Sequence, residues 1–384
     1  MPRARTSRTA APAAAKRAPV AASTGAAHGI LPSQSIRRLI ADGVIALAAP
    51  LLANQLQPAS LDLRLGAVAY RVRASFLAGP GSRVTDRLSV LALHEFPLAA
   101  GAVLETGCVY VVPLQESLAL PGHLSAAANP KSSTGRLDVF TRVIADGVGT
   151  FDQIPAGYKG PLYAEICPQT FPVLVRTGSR LSQIRFRSGE VERGDGALRE
   201  LHRQQQLVSS DAADIADGIA LTVDLGGGSD GLIGYRAKRH TGLVDVDVAG
   251  ACKVADYWEP IHGQRGGRLI LDPDDFYILA SKEAVHVPPT HAAEMVPFNP
   301  LVGEFRVHYA GFFDPGFGHD ASGGKGSRAV LEVRSHKVPF VLEDGQIVGR
   351  LVYERLTEVP EMLYGRDLGS HYQAQGLKLS KHFK

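Results

Sequence analysis

The feature that most constrains the fold of this chain is that its second half repeats its first in order. L-D-L-R-L-G at 61–66 parallels L-T-V-D-L-G at 221–226, and 109–121 parallels 277–288, with Glu116-Ser117 answering Glu283-Ala284. Leu162-Tyr-Ala-Glu165 followed by 171–175 parallels Val330-Leu-Glu332 followed by 338–342. A glycine turn entering a strand then recurs at 178–186 and 345–353. Isolated matches between apolar stretches are commonplace, but collinear order across most of each half marks two copies of one unit. The length of 384 residues, 45% of them hydrophobic, gives each copy enough chain to bury a core of its own.

The unit is β-rich. Short runs of branched and aromatic residues, such as 108–112, 173–176, 276–279 and 305–309, are cut repeatedly by the 41 glycines and 24 prolines, the pattern of a barrel or sandwich. Helical periodicity is confined to 33–45, where Ile36, Leu39 and Ile40 recur at helical spacing behind Ser33 as a potential cap, and to 197–205. The expected organisation is a tail at 1–28, copy one at 29–192 and copy two at 193–384, with 226–270 an elaboration of copy two. The tail holds Arg3, Arg5, Arg8, Lys16 and Arg17 but neither an acid nor a large apolar side chain, so it is expected to stay solvated.

Formal charge is +3, and those five cations account for the excess, so bulk charge makes no case for nucleic acid as a partner. No apolar run approaches the ~20 residues of a membrane helix, and no membrane partner is expected. Cys108, Cys167 and Cys252 lie far apart without a C-x-x-C pair or a histidine at zinc spacing, which fits a reduced, cytoplasmic setting.

One polar turn stands out. K-S-S-T-G-R at 131–136 follows Pro130 and precedes an apolar run, putting an ammonium, two serine hydroxyls, a guanidinium and backbone N–H groups on a tight bend. A polyphosphate is held by such a set, although a polar turn alone is more often merely solvent-facing. The glycine-lysine pattern of a Walker loop is missing.

With G-I-L-P-S-Q-S-I at 29–36 and S-L-D-L-R-L-G at 60–66, this turn resembles the dCTP deaminase branch of the dUTPase-like superfamily. The resemblance runs from Gly29 onward and implies a mainly β protein: two tandem dUTPase-like distorted β-barrel or jelly-roll domains with few short helices. It carries Ser132 and Arg136 onto the family's catalytic serine and arginine, and Lys131 and Ser133 onto their phosphate-side neighbours. Copy two has V-P-F-N-P-L at 296–301 instead, without serine or arginine.

The remaining motifs favour copy two. F-D-P-G-F at 313–317, with Ala310 before it, is similar to the family's sugar-binding turn around Asp314. Copy one offers Ala145, then an insertion, then F-D-Q-I-P-A-G at 151–157 with Asp152 as the candidate aspartate. Tyr364, His371-Tyr372 and Gln375-Gly376 match the spacing of a tail expected to close over nucleotide, with His371 where lysine is usual. The catalytic glutamate has two candidates, Glu165 and Glu332. The first is favoured by the geometry of a ring assembly, the second by the quality of its surrounding motifs.

The resemblance implies hydrolytic deamination of dCTP to dUTP and ammonia, in pyrimidine deoxynucleotide synthesis, with dTTP a possible inhibitor. A buried glutamate takes a proton from water and returns it to the base while water attacks C4. Zinc deaminases need H-x-E and P-C-x-x-C; neither occurs here, so no zinc is expected, and Mg2+ is expected to arrive with the triphosphate. The family's site lies between subunits of a trimer, so three two-copy chains stacked as two rings is the expected homo-oligomer. The alternatives are a dUTPase, a bifunctional deaminase and diphosphatase, or a non-catalytic nucleotide-binding regulator.

Overall fold

The structure is a computed structural model that describes residues 28–189, 194–210, 212–263, 266–297, 305–307, 311–335, 337–365 and 375–384. The acid-free start expected to be solvated lies outside these residues, as do Ala310, His371 and most of the 296–301 stretch.

The repeat is written in the sheet topology. In copy one, five strands lie in the spatial order Ala92–Pro97, Val68–Val72, Val109–Ala119, Lys159–Pro168, Val139–Ala145. Copy two has the same order in Trp258–His262, Leu232–Ala237, Phe276–Val285, Ser327–Ser335, Phe305–Val307. A second sheet closes each barrel. Ser182–Ser188 pairs with Leu61–Leu63 and Leu124–Pro130, and the latter with Gln153–Ile154; Ile347–Arg355, Ile219–Thr222, His291–Pro297 and Phe312–Phe313 repeat that pattern. A two-stranded ribbon completes each copy.

The 226–270 segment is therefore not an elaboration. It contains the counterparts of the Val68–Val72 and Ala92–Pro97 strands. Between them, Val244–Asp245 crosses to copy one and adds a parallel strand to Val173–Val175. Val244, Val246, Tyr257 and the fully buried Trp258 share one apolar cluster with Phe171 and Val173 of copy one. Each large side chain so buried contributes roughly 1.5–3 kcal/mol, which fuses the two barrels into one body.

The expected helix at 33–45 forms over Ser33–Ala41 and stops where Gly43 turns left-handed at φ 73°. Pro32, rather than Ser33, occupies its cap position. The second runs over Asp195–Gln205.

Candidate active site

Ser182–Ser188 sits at the seam between the copies, and its two faces do different work. Side chains alternate across a strand, so Ile184 and Phe186 enter the core of copy one while Gln183, Arg185 and Arg187 face copy two. Arg187 engages Glu294 and Glu354. Arg185, fully buried, donates to Asp314 Oδ1 at 3.3 Å and lies 4.1 Å over the Phe312 ring. Burial pushes the Asp314 carboxyl up and the Arg185 guanidinium down, each opposed by its partner's charge.

Ser327–Ser335 approaches from the opposite side with the same alternation. Ala329, Leu331 and Val333 enter the core of copy two, leaving Val330 and Glu332 on the other face. Between the two strands lies a cavity of about 320 Å³, within the size range of a small-molecule site.

The polar turn forms its third wall. Pro130 ends a strand, Lys131 stays extended, and Ser132–Gly135 makes one helical turn in which Thr134 and Gly135 N–H donate to Lys131 O. Ser132 is exposed to the cavity while Arg136 is buried behind it. Arg136 Nη1 donates to Gln375 Oε1 at 3.2 Å and to Lys378 O at 2.8 Å, and its Nε lies 3.9 Å from Glu332 Oε1. Burial pushes the Glu332 carboxyl up to about 8 against the opposing charge of Arg136. A carboxyl so placed exchanges protons near neutral pH, as a general acid or base must.

The end of the cavity beside Lys131 is basic. Lys131 Nζ ion-pairs with the buried Asp62, Arg180 Nη1 lies 3.4 Å from the same carboxylate, and Lys381 lines the wall alongside. Tyr364 closes the far side next to Phe317, its N–H donating to Pro315 O. Gly316, at φ 95°, permits that approach: a Cβ there would meet Leu363 Cβ at 3.0 Å and Tyr364 O at 3.1 Å.

Lys131, Ser132, Ser133, Arg136, Asp314, Glu332, Tyr364 and Gln375 are thus gathered in one cavity. Ala145, Asp152 and Glu165 are not among its lining residues. Glu165 is ion-paired instead with Arg142, whose guanidinium stacks 3.8 Å over Phe151. Asp152 accepts from Val143 N–H at 2.7 Å, and burial lifts its carboxyl to about 7.

Register corrects the assignment of Asp152. Ile154 lies opposite Ala126 and Phe313 opposite Ala293, and those alanines face Phe186 and Tyr353, already equivalent by the repeat. Pro155, not Asp152, therefore stands where copy two has Asp314. The lean towards Glu165 assumed a glutamate reaching the turn from a neighbouring chain; within this chain the turn, Glu332 and Gln375 line one cavity, and Glu165 does not.

Arg180, Gln183, Arg185, Phe312 and Lys381 were not singled out from sequence. For Gln183 and Arg185 a signal existed, since Q-I-R-F-R at 183–187 alternates polar and apolar residues. Nothing in the sequence marks Lys381. The three cysteines are free thiols. Among the described residues no group of three His, Cys, Asp or Glu is placed to hold a metal ion, and no helix is long and apolar enough to cross a membrane.

Two fused barrels share one cavity, basic at one end and carrying a buried acid at the other. Comparison with known proteins makes the class specific. The family model for the 2'-deoxycytidine 5'-triphosphate deaminase N-terminal domain matches residues 27–190, and that for the C-terminal domain matches 194–383. A crystal structure of 2'-deoxycytidine 5'-triphosphate deaminase from Agrobacterium tumefaciens is similar over 86% of this chain and 99% of that one, with 63% identity and a TM-score of 0.83. The dCTP deaminase, dUMP-forming, of Halobacterium salinarum is 35% identical over 114 residues, 29% of this chain and 54% of that protein. The dCTP deaminase of Natronomonas pharaonis is 29% identical over 127 residues, 32% of this chain and 60% of that protein. The match thus spans little more than half the length of these two curated relatives. The chain belongs to the 2'-deoxycytidine 5'-triphosphate deaminase family.

Proposed function

We propose that this chain hydrolyses dCTP to dUTP and ammonia, with Glu332 as the proton-transfer group. The observation that carries this reading is the meeting of Ser132 and Arg136 from copy one with the buried Glu332 from copy two in a single cavity. The basic end takes the triphosphate through Lys131, Ser133 and Arg180, and Asp314, oriented by Arg185, takes the sugar. Cytosine then lies against Glu332. Glu332 accepts a proton from water as the oxygen attacks C4 and passes it to N3, then accepts the proton of the new C4 hydroxyl and passes it to the amino group; the C–N bond breaks as the C4 carbonyl forms, and ammonia leaves. Ser132 and Arg136 orient water and base.

The proton transfer alone is worth ~10²–10⁴ in rate. Glu332 generates the nucleophile in this scheme without zinc. Magnesium fits the basic end as an ion carried by triphosphate oxygens and water, since the Asp62 carboxylate lining that end is already engaged by Lys131 and Arg180.

Ammonia and pyrophosphate release from dCTP, assayed separately, test the proposal. Ser132→Ala, Arg136→Ala and Glu332→Gln are expected to lose ammonia release by at least a hundredfold, and Glu165→Gln to keep it. Activity in Glu332→Gln with loss in Glu165→Gln would reverse the assignment. Pyrophosphate without ammonia would make the protein a diphosphatase. Both products together would make it bifunctional, a reading favoured by relatives named dUMP-forming.

A further inference from the structure

A second ion pair crosses between the copies two residues beyond Arg136 on one side and two residues beyond Glu332 on the other. Strand residues two apart share a face, so Arg334 leaves Ser327–Ser335 on the same side as Glu332 and meets Asp138, which follows the K-S-S-T-G-R turn. Arg334 Nε donates to Asp138 Oδ1 at 3.3 Å and to Oδ2 at 3.1 Å, and Nη2 donates to Oδ2. Thr170 Oγ1 donates to the same Oδ2 and accepts from Arg334 Nη2 at 2.9 Å, so carboxylate, guanidinium and hydroxyl close a triangle.

Each side of the pair is fixed to its own barrel. In copy one the Asp138 N–H donates to Gly135 O at 2.9 Å, and the Asp138 carbonyl accepts from Gln169 N–H at 2.9 Å. Asp138 is fully buried and left-handed at φ 58°, and Leu137, between it and Arg136, enters the apolar cluster shared by both copies. In copy two Arg334 Nη1 donates to Asp274 O at 2.9 Å, and the guanidinium lies 5.9 Å from the Phe276 ring centroid. Arg239, which also acts on Arg334, is engaged by Asp275.

The place of this pair along the strand is what matters. Gln375 holds Arg136 and is bonded to both the N–H and the carbonyl of Arg328, which ties the arginine to the start of the strand. The Asp138–Arg334 pair ties the turn to the strand's end, and Glu332 lies between the two ties. Arg136 Nε stands 3.9 Å from Glu332 Oε1, longer than a hydrogen bond, and the attraction weakens as that distance grows. Beside Glu165 the repeat sets Cys167 in the place of Arg334, and its Sγ accepts from Gln169 Nε2 at 3.0 Å.

We propose that Asp138 and Arg334 are a positioning pair, clamping the K-S-S-T-G-R turn to the strand that carries Glu332 and so fixing the separation of Arg136 from Glu332. The inference rests on the reading of Glu332 as the proton-transfer group. Neither Asp138 nor Arg334 lines the cavity, so their effect passes through the two residues that do.

Asp138→Asn, Arg334→Gln and the double substitution Asp138→Asn/Arg334→Gln test it. Asparagine tolerates the left-handed backbone, and the double substitution leaves no buried charge without its partner. Each full chain is followed by dCTP kinetics, by thermal melts and by the carboxyl-carbon NMR resonance of Glu332 across pH, identified by its loss in Glu332→Gln. Among the described residues Arg136 is the charge that acts on this carboxyl, so a turn that drifts from the strand leaves it harder to ionise. All three variants are expected to lose about tenfold or more in kcat, with KM changed by less than roughly threefold. In all three the carboxyl should titrate at higher pH than in wild type. The double variant should melt closer to wild type than either single one and stay slow, and Arg334→Lys should recover part of kcat.

A direct charge effect would give a different pattern, since losing the Asp138 charge eases ionisation of Glu332 and losing the Arg334 charge hinders it. Opposite shifts in the two single variants would overturn the proposal, as would wild-type kcat with an unmoved titration in folded variants. If the carboxyl shifts upward in all three but wild type releases no ammonia from dCTP, the clamp stands and the deaminase reading falls. If Glu332→Gln still releases ammonia, both fall.

Discussion

Glu165 and Glu332 hold equivalent places on equivalent strands, and what separates them is company. Arg142, on the neighbouring strand, takes the charge of Glu165. Glu332 has the more distant Arg136, and its carboxyl is lifted to about 8 by burial. A base must be ionised to accept a proton, so kcat/KM for dCTP should fall as pH drops below about 8, approaching tenfold per unit, and level off above it. Linkage fixes the sign of a second effect. A carboxyl raised in the folded state from its ordinary 4.5 to about 8 binds its proton more tightly there than in the unfolded chain. That contribution to stability is complete below pH 4.5 and is lost as pH rises through 8. Glu332→Gln should therefore melt close to wild type at pH 5 and above it at pH 9. Equal melting differences at both pH values would mean that the carboxyl is not raised.

At the level of the element, the Ser182–Ser188 strand carries the seam on its polar face. Asp314→Ala would strand Arg185 in a buried place without its carboxylate, and removing one partner of such a pair costs roughly 3–5 kcal/mol. Urea denaturation should show that loss, and replacing both partners by apolar residues should recover most of it while activity stays low. The strand's character was legible in the alternation of 183–187, as were the polar turn, the F-D-P-G-F turn and the repeat. Register was not. Asp152 lies three residues before the position equivalent to Asp314, and only the hydrogen-bond ladder reveals the offset, because composition alone makes F-D-Q-I-P-A-G and F-F-D-P-G-F look alike when aligned on their aspartates. The choice between the two glutamates was equally illegible, since both stand alone on apolar strands and their arginines come from elsewhere in the chain. The Val244–Asp245 crossover left no signal because two backbone-paired residues need no distinctive side chain.

At the scale of the molecule, each copy supplies what the other lacks. Copy one brings the turn, Arg180 and Arg185; copy two brings Asp314, Glu332, Tyr364 and Gln375. Mixing inactive Ser132→Ala chains with inactive Glu332→Gln chains, under conditions that exchange subunits, should restore no ammonia release. Recovery would show that sites are completed between chains. The Val244–Asp245 strand laid across to the other barrel has a further consequence, for it joins the halves by backbone pairing as well as by the peptide chain. Bringing the half-sites together is then a step of folding and not of encounter, with a local concentration that a tether sets at about millimolar whatever the concentration outside. Specific activity should accordingly hold constant as the protein is diluted, where a site shared between separate chains would fade.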